Sequence, residues 1–327
     1  MSPKICVITG GSGYIGGFLI RALLERGRFD RIYNFDLREK AFDDARVECR
    51  RVDVRRPIVE SIPEFDREGS WIFNLAALCR EPGSEPREYF DTNVGGAETV
   101  TVWAEALGFR NLYFTSTMSS YGRMDAPTPE TARQYPETPY GISKAIAEKI
   151  HSAWMERGAD RRLIICRPSV IFGPGDVENV PRMIRAIKKG YFVFPGSPDI
   201  VKGYGYVYGL IESVEFAIAR NERLIVYNYA ERDCLPLRGM VKAIQESLGN
   251  KPVTFRVPMP ALIAVAYCAQ AASRLTGRKS PIHPVRIRKV AFPTNLKPQY
   301  LIENGFTFNF PLEKALAHWK GKAPNDF

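Results

Sequence analysis

Thr9-Gly10-Gly11-Ser12-Gly13-Tyr14-Ile15-Gly16 decides the fold. It closes an apolar run, Ile5-Cys6-Val7-Ile8, and opens a stretch of helical periodicity, so its glycines fall where a strand turns into a helix. The spacing Gly10-x-x-Gly13-x-x-Gly16 supplies a tight turn, a backbone bare enough for a phosphate to approach, and close helix-to-sheet packing. Tyr14 and Ile15 begin a helix whose first N–H groups aim at the anion. Such a spacing also arises by chance in a chain with 26 glycines, so its surroundings must support the reading. They do: the next strand candidate, Arg31-Ile32-Tyr33-Asn34-Phe35-Asp36, ends in an acid 20 positions after Gly16, where a carboxylate accepts hydrogen bonds from an adenosine ribose. Asp36 favours NAD over NADP by repelling a 2′-phosphate, an effect that Arg38 partly offsets.

Strand-like runs recur at 5–9, 31–36, 47–52, 71–76, 111–115 and 163–167, with helix-like segments at 15–26, 89–106 and 141–157. This alternation predicts an α/β protein with a doubly wound parallel Rossmann sheet, its ligands at the carboxyl ends of the strands. After Arg167, Pro168, Gly173, Pro174, Gly175 and Pro181 break the pattern, which predicts a dinucleotide-binding domain over 1–172 and a smaller mixed α/β lobe over 173–327. Two later strand pieces, Tyr206-Val207-Tyr208 and Ile225-Val226-Tyr227-Asn228, are expected to return near 205–230 to the main sheet.

With 327 residues, 45% of them hydrophobic, the chain can bury a large core, and disorder and repeats are not indicated. The six cysteines show no CxxC pairing and read as free thiols in a reducing compartment. His151, His283 and His318 stand at no ligand spacing, so no metal is expected. No signal-like segment precedes the first strand, which makes the cytoplasm the expected location. Pro260 to Ala272 (PALIAVAYCAQAA) is too short to span a bilayer and is expected to be a helix that covers a core or binds a partner. The formal net charge of +10 reads as dispersed over pairs such as Arg50-Arg51 and Lys188-Lys189. Without a nucleic-acid signature, that surplus suits a diphosphate-bearing substrate and at most a peripheral membrane contact.

Tyr140-Gly141-Ile142-Ser143-Lys144 sets a phenol and an ammonium one helical turn apart. Before it, the strand over 111–115 runs into Ser116-Thr117-Met118-Ser119-Ser120-Tyr121-Gly122, which crowds hydroxyls at the strand's carboxyl end. With TGGSGYIGG at 9–17, Asp36, Asp53-Val54, Asn74-Leu75-Ala76-Ala77, Asn93-Val94-Gly95-Gly96 and RPSVIFGPG at 167–175, the chain resembles the extended short-chain dehydrogenase/reductases of the NAD-dependent epimerase/dehydratase family. The resemblance implies that Asp53 and Val54 lie by the adenine, that Leu75, Ala76 and Ala77 line the cofactor groove, and that Pro168 and Val170 border the nicotinamide. It gives Asn93 a structural role. Thr117 takes the place of the catalytic hydroxyl, with Ser116 and Ser119 as neighbouring alternatives. Lys144 and an oxidised nicotinamide favour the tyrosinate of Tyr140, which then removes a proton from a substrate hydroxyl as hydride leaves the carbon, while Thr117 holds the same oxygen.

Departures from the family pattern narrow the chemistry. Met118 and Ser119 stand where 4,6-dehydratases carry Asp and Glu, and a thioether transfers no proton, so dehydration is not expected. Tyr206-Val207-Tyr208-Gly209 replaces a His-Val-x-Asp segment. Lys202 stands near a family arginine for the substrate diphosphate, and with Arg80, Met118 and Ser119 it is a candidate substrate contact. The expectation is a homodimeric NAD-dependent oxidoreductase or epimerase of a nucleotide-diphosphate sugar, acting at C4 as a 4-keto reductase or 4-epimerase. A 3-beta-hydroxysteroid-type dehydrogenase and a non-catalytic NAD sensor are the alternatives. The dimer is expected to form through the helices over 89–106 and 141–157.

Overall fold

The computed structural model describes residues 2–38, 42–80, 83–249, 256–276 and 292–327, the side chains of 270–276 excepted; His283 lies outside the described residues. Seven parallel strands form the central sheet: β1 (Ile5–Thr9), β2 (Arg31–Asp36), β3 (Val47–Arg51), β4 (Trp71–Asn74), β5 (Asn111–Thr115), β7 (Arg162–Pro168) and β11 (Leu224–Tyr229). Their order, β11-β7-β5-β4-β1-β2-β3, reverses direction between β1 and β4, the switch point at which sheets of this kind bind their ligands. Short strands outside this sheet include β6 (Met124–Thr128) and β9 (Phe194–Pro195).

Strand alternation divides the sheet's apolar residues between two layers. Cys6 and Ile8 of β1 face α1 (Tyr14–Glu25) and α6 (Val207–Ile218), packing with Leu19, Leu23, Leu210 and Val214. Ile5 and Val7 face the other layer, where α3 (Gly95–Leu107) and α4 (Pro139–Glu156) supply Val100, Trp103, Ala147 and Trp154. Each such side chain contributes roughly 1.5–3 kcal/mol by leaving water. A third cluster belongs to the later part of the chain and joins Phe172, Ile184, Tyr204, Met240, Leu316 and Trp319. Its elements include β8 (Val170–Phe172), paired in parallel with β10 (Tyr204–Tyr206), and the helices α5 (Asn179–Lys188) and α7 (Leu237–Leu248).

The segment over 225–228 lies in β11, which pairs with β7. The segment over 206–208 behaves differently: the strand ends at Tyr206 and a helix begins at Val207. Leu210, Ile211, Val214, Ala217 and Ile218 are all buried at three- and four-residue spacing, and that longer pattern overrides the β-propensity of the Tyr-Val-Tyr triplet. The helix expected over 89–106 is interrupted as well. A short α2 (Pro86–Tyr89) leads into a π-helical turn, Phe90–Val94, before α3 resumes at Gly95.

Behind the carboxyl end of β7 lies a buried ion pair. The Arg167 guanidinium binds the Glu148 carboxylate through Nε (3.0 Å) and Nη2 (2.7 Å), with side chains 9% and 4% exposed. Ser116 Oγ also donates to Glu148, and Arg167 Nη1 donates to the Tyr121 hydroxyl at 2.6 Å. Helix α4 is thereby fastened to β7. Removing one partner strands a buried charge, so Glu148→Gln should cost about 3–5 kcal/mol in urea unfolding, and adding Arg167→Met should recover part of that loss.

Candidate active site

The glycine turn is built as a phosphate cradle. Gly10 has φ +78°, and a Cβ there would lie 2.7 Å from the Ala76 nitrogen, so any side chain would push β1 from β4. At Gly13 a Cβ would stand 3.0 Å from the Gly10 carbonyl oxygen, and at Gly16 one would collide with the same oxygen at 2.6 Å. Gly13 caps α1 without a side-chain hydrogen bond, and the first turn, from Tyr14 and Ile15, carries no acid. An N-terminus of this kind offers its N–H groups and positive dipole end to an anion. Asp36 Oδ2 accepts from the Ser12 N–H (3.0 Å) and Oδ1 from the Arg38 N–H (2.9 Å), which orients the carboxylate beside the cradle. The Arg38 guanidinium lies 3.7 Å from Asp36, and its side chain is 71% exposed. These residues fit a dinucleotide with a free adenosine ribose.

The remaining sequence-predicted cofactor positions surround this cradle unevenly. Leu75 donates its N–H to the Thr9 carbonyl at 2.9 Å, Ala76 backs Gly10, and Ala77 is exposed one residue later. Val54 packs under α3 against Gly96, while the Asp53 carboxylate is engaged by the Arg55 guanidinium at 2.7 Å. That ion pair and hydrogen bond hold the Asp53 carboxyl below its usual range. Pro168 ends β7 and Val170 opens β8; between them, Ser169 Oγ is buried without a hydrogen-bond partner. The Tyr14 hydroxyl and Asp176 Oδ2 are also buried and unpartnered among the described residues, and burial lifts the Asp176 carboxyl to about 6.

The first turn of α4 presses on the short turn that follows β5. Thr117 caps that turn, its Oγ1 accepting from the Ser119 N–H at 3.1 Å. Gly141 sits directly against the Ser119 carbonyl oxygen, well inside the distance that any side chain allows. This approach fixes Tyr140, one residue before Gly141, relative to Thr117, two residues before Ser119. One helical turn on, Lys144 is fully buried with Nζ 4.0 Å from the centre of the Phe114 ring. Burial lowers its amine from 10.5 to about 7, against the opposing influence of Cys79 and Glu148.

Three further polar contacts position α4, and sequence reading missed two of them. Asn93 holds both backbone groups of Leu78 (2.9 and 3.1 Å) and donates to Ser143 Oγ at 2.8 Å, which gives it the structural role expected. The Glu148 pair is the second; its signal was the four-residue step from Lys144 on one helix face. The third runs through His151. Thr9 Oγ1 donates to Asn74 Oδ1 (2.8 Å), so Asn74 Nδ2 donates to His151 Nε2 (3.1 Å), and the ring proton on Nδ1 goes to the Ala147 carbonyl at 2.6 Å. The imidazole also stacks on Phe114 at 4.2 Å, and burial depresses it from 6.5 to about 3.

The candidate substrate contacts separate. Met118 and Ser119 lie in the turn against α4, whereas Arg80 is exposed and its carbonyl accepts from the hydroxyl of Tyr89, whose ring lies 6.4 Å from that of Tyr140. The Lys202 amine instead donates to the Phe292 carbonyl at 2.6 Å, and burial lowers it to about 8. Among the described residues no cluster of three His, Cys, Asp or Glu side chains forms a metal site, and no helix is long and apolar enough to cross a membrane.

A parallel doubly wound sheet with a glycine cradle at its switch point and a Tyr-x-x-x-Lys helix beside it defines a dinucleotide-dependent oxidoreductase site. The model of the NAD dependent epimerase/dehydratase family matches residues 6–229, and the chain belongs to that family. NAD is accordingly its cofactor, in agreement with the fit of Gly10, Gly13 and Asp36. The N-acetyl-alpha-D-glucosaminyl-diphospho-ditrans,octacis-undecaprenol 4-epimerase of Escherichia coli O157:H7 is 28% identical over 313 residues, covering 95% of this chain and 92% of that protein. The UDP-glucose 4-epimerase of Lacticaseibacillus casei is 32% identical over 147 residues, 44% of each chain. Among solved structures, the complex of the Thermus thermophilus UDP-glucose 4-epimerase with NAD superimposes with a TM-score of 0.71 at 21% identity, covering 97% of this chain and 99% of that one.

Two outcomes follow from this geometry. Gly141→Ala should separate Tyr140 from Thr117, lowering turnover at least tenfold while NAD binding, followed by calorimetry, stays within about threefold. The second concerns Lys144: between pH 7 and 10.5 the unfolded chain keeps a proton that the native amine has released, so this residue makes stability rise with pH in that window. In unfolding titrations without cofactor, Lys144→Met should remove that part of the slope.

Proposed function

We propose that the chain is a 4-epimerase of a nucleotide-diphosphate sugar, with Thr117, Tyr140 and Lys144 as its proton-handling set. The observation that supports the reading is the close approach of Gly141 to the Ser119 carbonyl, which sets the first turn of α4, with Tyr140 and the buried Lys144 on it, against the turn that Thr117 caps. NAD, when bound, supplies the acceptor and then the donor for the hydrogen of C4. Tyr140 takes the proton of the C4 hydroxyl through its Oη and returns it. Lys144 steadies the phenolate, and its burial strengthens that attraction by excluding water. Thr117 hydrogen-bonds the C4 oxygen and fixes its distance from Tyr140. Met118, which transfers no proton, supports the absence of 4,6-dehydration. Retaining the cofactor between the two hydride transfers separates an epimerase from a 4-keto reductase.

A second reading keeps this chemistry and changes the carrier to a polyprenyl diphosphate. The Escherichia coli relative supports it, since its similarity extends through the later part of the chain, whereas the Lacticaseibacillus casei enzyme aligns over less than half. The 3-beta-hydroxysteroid-type alternative gains no comparable support. For the assembly, exposed Val102 on α3 and Ile146 on α4 support a homodimer through these helices. The proposed location is the cytoplasm.

The test is to incubate the protein and NAD separately with UDP-glucose, UDP-N-acetylglucosamine and N-acetylglucosaminyl-diphospho-undecaprenol, then to look for the C4 epimer by chromatography of the released sugar. Conversion of a UDP-sugar supports the first reading, conversion of the lipid-linked sugar alone supports the second, and oxidation with net NADH release overturns both. Tyr140→Phe should lower the observed turnover by about 10²–10⁴-fold and leave NAD bound.

A further inference from the structure

The segment over 173–178, which joins β8 to α5, reaches back to the helix that opens the glycine cradle. Gly173 packs on the tip of Tyr14: a Cβ there would lie 3.1 Å from the Tyr14 hydroxyl oxygen and 2.8 Å from Val207 Cγ1. The Asp176 N–H closes the segment on the Gly173 carbonyl at 3.0 Å. Gly175, Val177 and Glu178 are exposed, but the Asp176 carboxyl turns inward. Its Oδ1 accepts from the Glu178 N–H at 2.8 Å, whereas its Oδ2, like the Tyr14 hydroxyl, is buried with no hydrogen-bond partner. Buried polar atoms left open in this way call for an explanation. The two groups act on each other: burial is the main cause that lifts the Tyr14 phenol above its ordinary value, and Asp176 is the next.

A charge on Asp176 is poorly compensated. Burial lifts its carboxyl from 3.8 to about 6 and Glu178 adds to the shift, while the N–H groups of Glu178 and Val177 and the Arg182 guanidinium oppose it. Arg182 is itself paired with Glu178 at 3.3 Å. From the other elements, the titratable groups that act on Tyr14 beside Asp176 are Tyr206, Tyr208 and Asp326, and Asp326 is bound by the Trp319 indole at 2.7 Å. Tyr14 is at the same time the first residue of α1, whose free N–H groups make the cradle. One phenol side chain thus spans from the cradle to the Asp176 carboxyl.

We infer that Asp176 takes up a proton when the cradle receives the NAD diphosphate, and that this proton sets how tightly the cofactor is held. Two anions in one partly dry surrounding repel, and one of them must be neutralised. The diphosphate stays ionised across the physiological range, so the carboxyl takes the proton. Once protonated, Asp176 carries a donor, and the open Tyr14 hydroxyl is the acceptor at hand, which accounts for both unpartnered atoms. The inference requires only that the chain bind NAD, and it holds whichever sugar the activity assay selects.

Calorimetry with ADP-ribose on the full-length protein tests it. This ligand carries the same diphosphate without the nicotinamide, whose positive charge would drive protons off Tyr140 and Lys144 and mask the signal. Near pH 6.5, heats measured in MES and in bis-tris, buffers of different ionisation enthalpy, should show uptake of roughly half a proton per ligand bound. Because the diphosphate makes the carboxyl hold its proton more tightly, affinity is highest below about pH 6 and falls as pH rises, by at least about fivefold between pH 5.5 and 8. Asp176→Asn keeps an acceptor for the Glu178 N–H and is neutral at every pH. It should bind ADP-ribose at pH 8 as tightly as wild type does at pH 5.5, with no proton uptake, and Asp176→Ser serves as a second variant. Wild-type protein that takes up no proton overturns the inference, as does either folded variant that takes up as much as wild type. None of these readouts needs a sugar substrate, so failure here and failure of the epimerase reading are told apart.

Discussion

Burying the Lys144 ammonium is the constraint on which the rest of the site depends. A charge removed from water against an aromatic face is costly, and burial depresses the native amine to about 7 in spite of the nearby Cys79 and Glu148. Only a helix that cannot shift will keep it there. Helix α4 is held at successive turns by Ser143 to Asn93, Glu148 to Arg167, and His151 to Asn74, each contact reaching a different part of the parallel core. Phe114 is the shared surface: the Lys144 amine lies over its ring, and the His151 imidazole stacks on it.

The same contacts connect the glycine turn with helix α4. Asn74 receives a hydrogen bond from Thr9, at the entrance to the glycine cradle, and passes one to His151 on the helix that carries Tyr140 and Lys144. The cofactor cradle and the helix that carries Tyr140 and Lys144 are thus joined by a short buried chain of polar side chains, Thr9, Asn74 and His151. Its members specify a unique arrangement because each has one donor direction that fits. Close packing supplies the rest, through Gly10 against Ala76 and Gly141 against Ser119.

Much of this was legible in the sequence because local chemistry dictated it. The glycine spacing, Asp36 and the Tyr-x-x-x-Lys step rest on short-range geometry, and the central strands follow from apolar runs that parallel pairing buries on both faces. What escaped depended on distance or on competition. Lys202 meets Phe292 across 90 positions, a pairing that no window of sequence reveals. Tyr206-Val207-Tyr208 looks extended in isolation, but the apolar period beyond it makes α6 begin at Val207. His151 gave no hint of its partners, since Asn74 lies 77 positions away.

The π-helical turn at Phe90–Val94 has a consequence for how this region tolerates change. A wide turn holds one residue more than regular winding does, so the backbone before it and the backbone after it are offset by about 100° of rotation. Asn93 sits inside that offset and can aim at Leu78 and Ser143 while Val100, Trp103 and Ala104 keep their own apolar stripe toward the sheet. The turn works as a phase adapter. Substitutions that repack α3 leave the aim of Asn93 untouched, whereas a one-residue deletion within the turn would bring the two segments back into phase and swing the amide away from the loop it holds.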